Sequence, residues 1–125
     1  MPKDEIHIKT FSVTNRVAAI VKAKQPFIDW ANGNPHAKGF VVTLEGVNEE
    51  PHLFLFPLLK MTDDNWKQIQ LAKPFIFEEM LLGRYRDTTT WPQDRSAKVF
   101  DQWFDVELSA SISDFGDDEI SKDED

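Results

Sequence analysis

The sequence contains no cysteine, which excludes disulfides, thiol catalysis and thiolate metal sites and is typical of the reducing cytoplasm. Its five glycines are scattered, so neither a Gly-x-Gly-x-x-Gly fingerprint nor a P-loop occurs. A Gly-x-Ser-x-Gly elbow is also missing. The first residues, MPKDEIHIKTF, lack the apolar core of a signal peptide, and no apolar run approaches a membrane span. We therefore expect a cytoplasmic protein that does not bind a membrane.

Positive charge is scarce as well. The 125 residues carry 14 Lys and Arg against 22 Asp and Glu, a formal net charge of −8. The last ten residues, GDDEISKDED, hold six acids and one lysine, so −5 of that charge lies in residues 116–125. Nucleic-acid binding relies on clustered Lys and Arg. The composition therefore predicts no nucleic-acid partner, and an acidic disordered tail over 116–125.

Metal-ligand spacings are absent too. The three histidines, His7, His36 and His52, lie far apart in the sequence, and none belongs to a His-x-x-x-His or Glu-x-x-His pair. The adjacent pairs Asp63-Asp64 and Glu78-Glu79 are better explained as helix caps and solvated faces. We predict no metal, no other cofactor and no catalytic residue.

Three segments have the pattern of strands. NRVAAIVKAK, residues 15–24, has apolar residues on both alternating sets, which favours a strand covered on both faces, or a central one. KGFVVTLEG (38–46) and PHLFLFPLL (51–59) are separated by a short polar stretch, which predicts an antiparallel hairpin. The unbroken apolar run from Leu53 to Phe56 predicts a buried central strand, with pairing that ends at Pro57.

Helical patterns lie between and after these strands. PFIDWANGN predicts a short helical turn that ends at Asn32-Gly33. Asp63-Asp64 predict the N-cap of a helix that carries Trp66 and Ile69. Pro74 predicts an interruption and the start of a second helix, PFIFEEMLLGRYR. By their spacing, the rings of Phe27, Trp30, Trp66, Trp91, Phe100 and Trp103 are predicted to be mostly core.

The region around residues 87–115 combines a turn, a helix and a strand. DTTTWP predicts a chain reversal, and Asp94 or Ser96 predicts the cap of a helix through RSAKVFDQWF. From Phe104 to Ile112 apolar and polar residues alternate, so the even-numbered residues are predicted to face inward. Together these segments predict one α+β domain over residues 1–115, with helices on one face of a mostly antiparallel sheet of about four strands.

Three patches, KQPFIDWAN, PFIFEEMLLGRYRDTTTWPQDRS and VFDQWFDVELSASISDF, resemble a family of small, acidic, uncharacterised bacterial proteins. In that family a Lys-x-Pro-Phe-x-x-Trp patch precedes Trp-Pro-x-x-Arg and Trp-Phe-Asp-x-Glu. The matching residues are Lys24, Pro26, Phe27, Trp30, Trp91, Pro92, Arg95, Trp103, Phe104, Asp105 and Glu107. The resemblance spans roughly two thirds of the chain and implies a bacterial, cytoplasmic, single-domain protein, but no chemistry.

Arg95, Asp87 and Asp105 form the most promising polar group in the sequence. A turn joins Asp87 to Arg95, so we predict that the two side chains pair and brace the Trp91-Pro92 reversal. We favour this structural role over a catalytic one because structural ion pairs also gather near aromatic residues. Trp91, beside a proline in a turn, is predicted to be partly exposed, and Trp30 is a second candidate for a contact surface.

Two functions remain open at this stage. The first is a protein-interaction or regulatory module without cofactor, bound to a protein partner or to itself as a homodimer. The candidate binding residues are Trp30, Trp91, Arg95, Asp87 and Asp105. The alternative is a small hydrolase-like enzyme that uses Arg95 to hold an anion and Asp29 or Asp105 as a base. A deep pocket with a shifted carboxylate near Arg95 favours the enzyme, whereas an apolar patch favours the module.

Overall fold

The structure is a computed structural model and describes residues 12–116 and 118–121. A short 3₁₀ turn, Thr88–Thr90, precedes the last helix. In chain order the strands and helices are β1 (Ser12–Val13), β2 (Arg16–Ala23), α1 (Gln25–Gly33), α2 (Leu44–Asn48), β3 (His52–Pro57), α3 (Thr62–Leu82), α4 (Ala97–Trp103), β4 (Phe104–Ser109) and β5 (Ser113–Asp114).

The main sheet has three antiparallel strands in the order β3-β2-β4. β2 is central: Ala19 lies opposite Phe54 of β3 and Leu108 of β4. β1 and β5 form a separate antiparallel pair. The predicted first strand and the predicted final strand are therefore confirmed as β2 and β4. However, β4 ends at Ser109, and Ala110, predicted to face inward, is exposed.

The helices pack on one face of this sheet, as the α+β prediction required. Phe104, at the start of β4, has its ring 5.2 Å from that of Phe27 in α1, 5.4 Å from Phe77 in α3 and 5.0 Å from Phe100 in α4. All four rings are buried and belong to one core cluster with Val21 and Ala23 of β2 and residues Ile28, Ile76 and Leu81 of the helices. The opposite face of the sheet, the outer face, lies away from these helices.

The predicted hairpin of 38–46 with 51–59 is wrong. Lys38 and Gly39 have φ values of 49° and 84°, which turn the chain out of an extended path, and Thr43 caps the short helix α2. β3 pairs with β2 instead. The apolar residues Phe40 and Val41, which suggested a strand, are strongly exposed. Local hydrophobicity in this segment therefore did not reflect burial in the sheet.

The two helices predicted around Pro74 form one continuous helix, α3, with the proline inside it. Buried Ile69 before the proline and buried Phe77 after it anchor both halves to the core, which outweighs the loss of one backbone donor. Asp63 and Asp64 lie in the first turn rather than at the N-cap, which is Met61. Trp66, predicted to face the core, is 42% exposed. The helix α4 begins as predicted, because Ser96 Oγ accepts from the N–H of Val99.

Asparagine side chains complete the backbone pairing at several points. Asn48 forms two hydrogen bonds with the N–H and the carbonyl oxygen of Ala23. Asn65 does the same for Leu59, and Asn32 for Val42. An amide group matches the donor and acceptor of one extended residue. These side chains therefore satisfy backbone groups where no strand is available.

Candidate functional site

The segment Asp87–Trp91 joins α3 to α4 and is held by two indole groups. Trp30 Nε1 donates to the carbonyl oxygen of Thr90 at 2.8 Å, and Trp91 Nε1 donates to that of Tyr85 at 2.9 Å. Both tryptophans are half-buried and pack against the core cluster. Trp30 and Trp91 therefore fix this turn to the body of the protein, and Trp91 is partly exposed as its place beside Pro92 predicted.

Asp87 is bound from two sides. Its Oδ2 lies 2.8 Å from His36 Nε2, and its Oδ1 accepts from both the hydroxyl and the N–H of Thr89, at 2.6 and 3.1 Å. The hydrogen bond from the Thr89 hydroxyl and then that from His36 lower the pKa of Asp87 from 3.8 to about 2. Thr89 contacts the carboxylate rather than the imidazole, so the three side chains do not form a nucleophile–base–acid relay.

Arg95 does not pair with Asp87, so the predicted brace is wrong. Arg95 Nη1 donates to the carbonyl oxygen of Pro92 at 2.8 Å, and its guanidinium lies over the ring of Trp91, 5.7 Å from the centroid. Arg95 forms an ion pair with Glu78 of α3, in which Arg95 Nε lies 3.4 Å from Glu78 Oε1. The Nε–H group is not aligned for a hydrogen bond to that oxygen. The loop residue His36 takes the position beside Asp87 instead.

The other candidate carboxylates are also separate. Asp105 lies 3.3 Å from Lys24 Nζ, and Asp29 accepts a hydrogen bond from Gln25 at 2.9 Å. The structure therefore distributes Arg95, Asp29 and Asp105 among different partners. Within residues 12–116 and 118–121, no three His, Asp or Glu side chains come close enough together to hold a metal ion.

Among the described residues β3 pairs only with β2, on one side, so it is an edge strand and not the buried central strand predicted from its sequence. The N–H of Leu58 donates to Asn15 at 3.0 Å and so points toward β2. In an antiparallel pair alternate residues direct their backbone groups the same way. The groups of Phe54 and Phe56 therefore also point toward β2. Those of Leu53 and Leu55 point away from it, into the open side of β3.

Prolines flank these two leucines at positions with the same outward direction. Pro51 and Pro57 have no N–H, so neither leaves an unpaired donor on the open side. The carbonyl oxygen of Pro57 accepts from Gln68 Nε2 at 2.7 Å. The backbone groups of Leu53 and Leu55 remain, and the described residues offer them no partner on that side. We call this open side of β3, with the N–H and C=O groups of Leu53 and Leu55, the β3 edge.

Apolar side chains accompany the β3 edge on the outer face. Leu53 is 52% exposed and Leu55 is 47% exposed. Their neighbours in β2 are Ile20, opposite Leu53, and Ala18, opposite Leu55. Natural edge strands commonly carry charged residues or prolines that prevent pairing with another chain. A proline lies at each end of β3, Pro51 immediately before it and Pro57 as its last residue, which limits pairing on its open side to Leu53 and Leu55. These two residues are apolar and carry no charge that opposes pairing.

One side of α3 faces the same region. The Gln68–Pro57 hydrogen bond brings the Gln68 side of the helix to the β3 edge. Leu71 and Phe75 follow Gln68 by three and seven positions, so they lie on that side. They are 78% and 71% exposed. We call Gln68, Leu71 and Phe75 the α3 flank.

A cavity of about 410 Å³ opens at the other end of β3. His52 of β3 and Glu79 and Met80 of α3 line it, so α3 runs antiparallel to β3, from Gln68 beside Pro57 to Glu79 near His52. The remaining charged groups of its lining are Glu50 and Arg84. Because carboxylates, a guanidinium and apolar residues share this lining, the cavity does not select one ligand charge.

Neither the β3 edge nor the α3 flank was predicted from the sequence. One signal for the β3 edge is present in the sequence: Pro51 and Pro57 are six residues apart, so their missing donors fall on the same side of a strand. A central strand needs donors on both sides. The proline spacing therefore indicates an edge, whereas the apolar run alone indicated a centre.

The chain matches no family model, and no curated protein or solved structure is significantly similar to it. The resemblance to small acidic bacterial proteins therefore depends on the quoted sequence patches alone. Among the helices of the described residues, none is long and apolar enough to cross a membrane.

Proposed function

We propose that the protein is a protein-interaction module, acting without a cofactor, that binds an extended polypeptide segment at the β3 edge. The observation that supports this function is the backbone of Leu53 and Leu55, which has no partner on its open side among the described residues, next to their half-exposed side chains. An antiparallel segment added there forms main-chain hydrogen bonds with both leucines. Side chains of alternate residues then contact Leu53 and Leu55 on the outer face.

The chemistry of the surface defines the bound segment. From Pro51 to Leu59 the only ionisable side chain is His52, so backbone pairing and apolar contact dominate the binding. The segment that fits therefore carries apolar residues at alternate positions and no carboxylate opposite the leucines. The net charge of −8 disfavours nucleic acid as a partner.

The hydrolase-like alternative receives no support from the contacts of its residues. Arg95 is paired with Glu78 and bonded to Pro92, while Asp29 and Asp105 bind Gln25 and Lys24. An anion anchor and a base must converge on one substrate. These side chains have separate partners, so we retain the interaction module.

Location and origin are part of the same proposal. A chain without cysteine suits a reducing compartment, and we propose that the module acts in the cytoplasm of a bacterium, as the resemblance implies. The acidic residues 116–125 are proposed to be a tail outside the domain. Residues 117 and 122–125 of that tail lie outside the described residues, and residues 118–121 are exposed.

Affinity capture from native cells with matched variants tests this function. We expect the protein to retain a partner that is lost with Leu53→Lys and with Leu55→Lys, because a lysine at an edge opposes strand addition. Phe40→Lys is the control, since Phe40 is an exposed apolar residue that belongs neither to the β3 edge nor to the α3 flank. Capture that is equal for all variants, or a wild-type protein that retains neither another protein nor a second copy of itself, contradicts the proposal.

A further inference from the structure

The free backbone groups of the β3 edge are symmetric about Phe54. Hydrogen-bonded pairs in an antiparallel ladder recur at every second residue. Leu53 of one copy can therefore pair with Leu55 of a second copy, while its own Leu55 pairs with Leu53 of that copy. This register uses every free N–H and C=O of the two leucines in both chains. It also places Pro51 opposite Pro57, so the new ladder is limited to the two leucine pairs, because neither proline can donate a hydrogen bond.

The same register places apolar residues of both copies side by side on the outer face. In its own sheet Leu53 lies beside Ile20, and Leu55 lies beside Ala18. Pairing of Leu53 with Leu55 of the second copy produces a row of four apolar residues across four strands, and the two-fold axis generates a second such row. Cross-strand apolar pairs of this kind stabilise sheets. His52 is the only ionisable residue of β3, and in this register it lies opposite Phe56 of the second copy. The pairing therefore brings no two ionisable side chains of the β3 strands opposite each other.

The α3 flank provides a second, separate observation. Phe54 lies about 10 Å from Pro57 along β3, at about 3.3 Å per residue. A helix advances about 1.5 Å per residue, so the residue of α3 level with Phe54 is about seven positions beyond Gln68, which is Phe75. Phe75 is thus beside the axis and is 71% exposed. The two-fold operation brings two α3 flanks together and buries Phe75 and Leu71.

We propose that the segment bound at the β3 edge is β3 of a second copy of this chain, paired antiparallel about a two-fold axis at Phe54. This inference rests on the proposed function and names the partner. The dimer has a continuous six-stranded antiparallel sheet with the two α3 helices side by side on the helix-covered face. Its contact surface is self-complementary, as a two-fold interface requires.

Sedimentation velocity of the full chain over a range of concentrations tests the pairing. We expect wild-type protein and the control Phe40→Lys to sediment as a dimer, with twice the mass of the 14.5 kDa chain. Leu55→Lys and Phe75→Lys are expected to raise the dimer dissociation constant at least tenfold. Circular dichroism confirms that each variant is folded. A monomeric wild type, or a dimer that both lysine variants leave intact, overturns the proposal.

Cysteine cross-linking tests the axis itself, and the chain has no native cysteine to compete. Phe54→Cys places two thiols in a non-hydrogen-bonded pair, whose Cα atoms are about 4.5 Å apart and within reach of a disulfide. Leu53→Cys is the control, because in this register Leu53 of one copy lies diagonally across from Leu53 of the other copy, not directly opposite it. We expect a covalent dimer to form at least tenfold faster for Phe54→Cys. If that variant does not fold, Leu53→Cys/Leu55→Cys, at exposed positions, is expected to cross-link instead. Cross-linking of the tested variant no faster than that of Leu53→Cys overturns the register.

The two proposals fail in different ways. A monomeric wild type that still captures another protein, with loss of capture in Leu55→Lys, overturns the second copy as partner and supports the proposed function. If the wild type is monomeric and captures no other protein in a way that depends on Leu55, both proposals are overturned.

Discussion

The side-chain amide of Asn48 accepts a hydrogen bond from the N–H of Ala23 at 2.8 Å and donates to its carbonyl oxygen at 2.9 Å. Ala23 is the last residue of β2, and β3 pairs with β2 only as far as Val21. Asn48 therefore takes the place of a strand residue at the end of the central strand. This contact also fixes α2 against the sheet.

We predict that Asn48→Ala lowers the free energy of unfolding by about 1–3 kcal/mol, because it leaves the two backbone groups of the buried residue Ala23 without their partner. Asn48→Asp is expected to be at least as destabilising, since a carboxylate cannot donate to the Ala23 carbonyl. Urea unfolding measures both changes. Glu49→Ala, at the next and exposed position, is the control and should alter stability by less than about 0.5 kcal/mol. Equal stability of Asn48→Ala and Glu49→Ala contradicts this role.

Asp87 should titrate with a pKa of about 2, and carboxyl NMR measures it directly. Thr89→Val and His36→Ala are each expected to raise this pKa, because each removes a hydrogen bond to the carboxylate. Because the pKa is lower in the folded than in the unfolded state, the stability from this carboxylate is present above the unfolded value of 3.8 and is lost as the pH falls toward about 2. The stability difference between wild type and Asp87→Asn should therefore shrink over that range. An Asp87 pKa near 3.8 in the wild type is the contrary result.

Arg95 should couple to Glu78 and not to Asp87. In double-mutant cycles with alanine we expect a coupling of about 0.2–1 kcal/mol for Arg95 and Glu78, as for other partly exposed ion pairs, and none for Arg95 and Asp87. Arg95→Ala alone should be more destabilising than Glu78→Ala, because it also removes the contacts with Pro92 and Trp91. Arg95→Lys should restore part of the loss. Coupling to Asp87 as large as that to Glu78 would restore the brace predicted from the sequence.

Lys73 is a largely buried cation whose carboxylate partner is Asp101, with Nζ 2.7 Å from Oδ1. We predict that Asp101→Ala lowers stability by about 1–3 kcal/mol, because it leaves the ammonium without its partner. Lys73→Met keeps the apolar stem against the core and should lower stability less. Chemical unfolding compares the two variants. A larger loss of stability for Lys73→Met than for Asp101→Ala would contradict this explanation. It would show that the ammonium group stabilises the fold even without its carboxylate partner.

Local patterns predicted the α+β class, β2, α1, α4 and β4, because each of these segments buries the face that its own periodicity defines. They failed where a partner elsewhere in the chain decides the outcome. Pro74 predicted a break, but buried Ile69 and Phe77 on either side keep α3 continuous. Asp87 binds His36 of a distant loop, and nothing near residue 87 indicates that contact.

The apolar run Leu53–Phe56 shows the limit most clearly. Phe54 and Phe56 pack against the core, whereas Leu53 and Leu55 are half-exposed on the other face. A run that is apolar on both faces is typical of a strand buried within a sheet, and equally of an edge that another chain covers. The hydrophobicity of the run therefore does not distinguish a strand covered within its own chain from an edge strand covered by another chain.

Residue-resolved amide hydrogen exchange tests the β3 edge most directly. In the monomer at high dilution, the amides of Leu53 and Leu55 should exchange fast, because they point away from β2, while those of Phe54 and Phe56 are protected. When the second copy or a captured partner binds, we predict that exchange at Leu53 and Leu55 slows at least tenfold. Exchange at both leucines that stays fast in the bound state would contradict strand addition at the β3 edge.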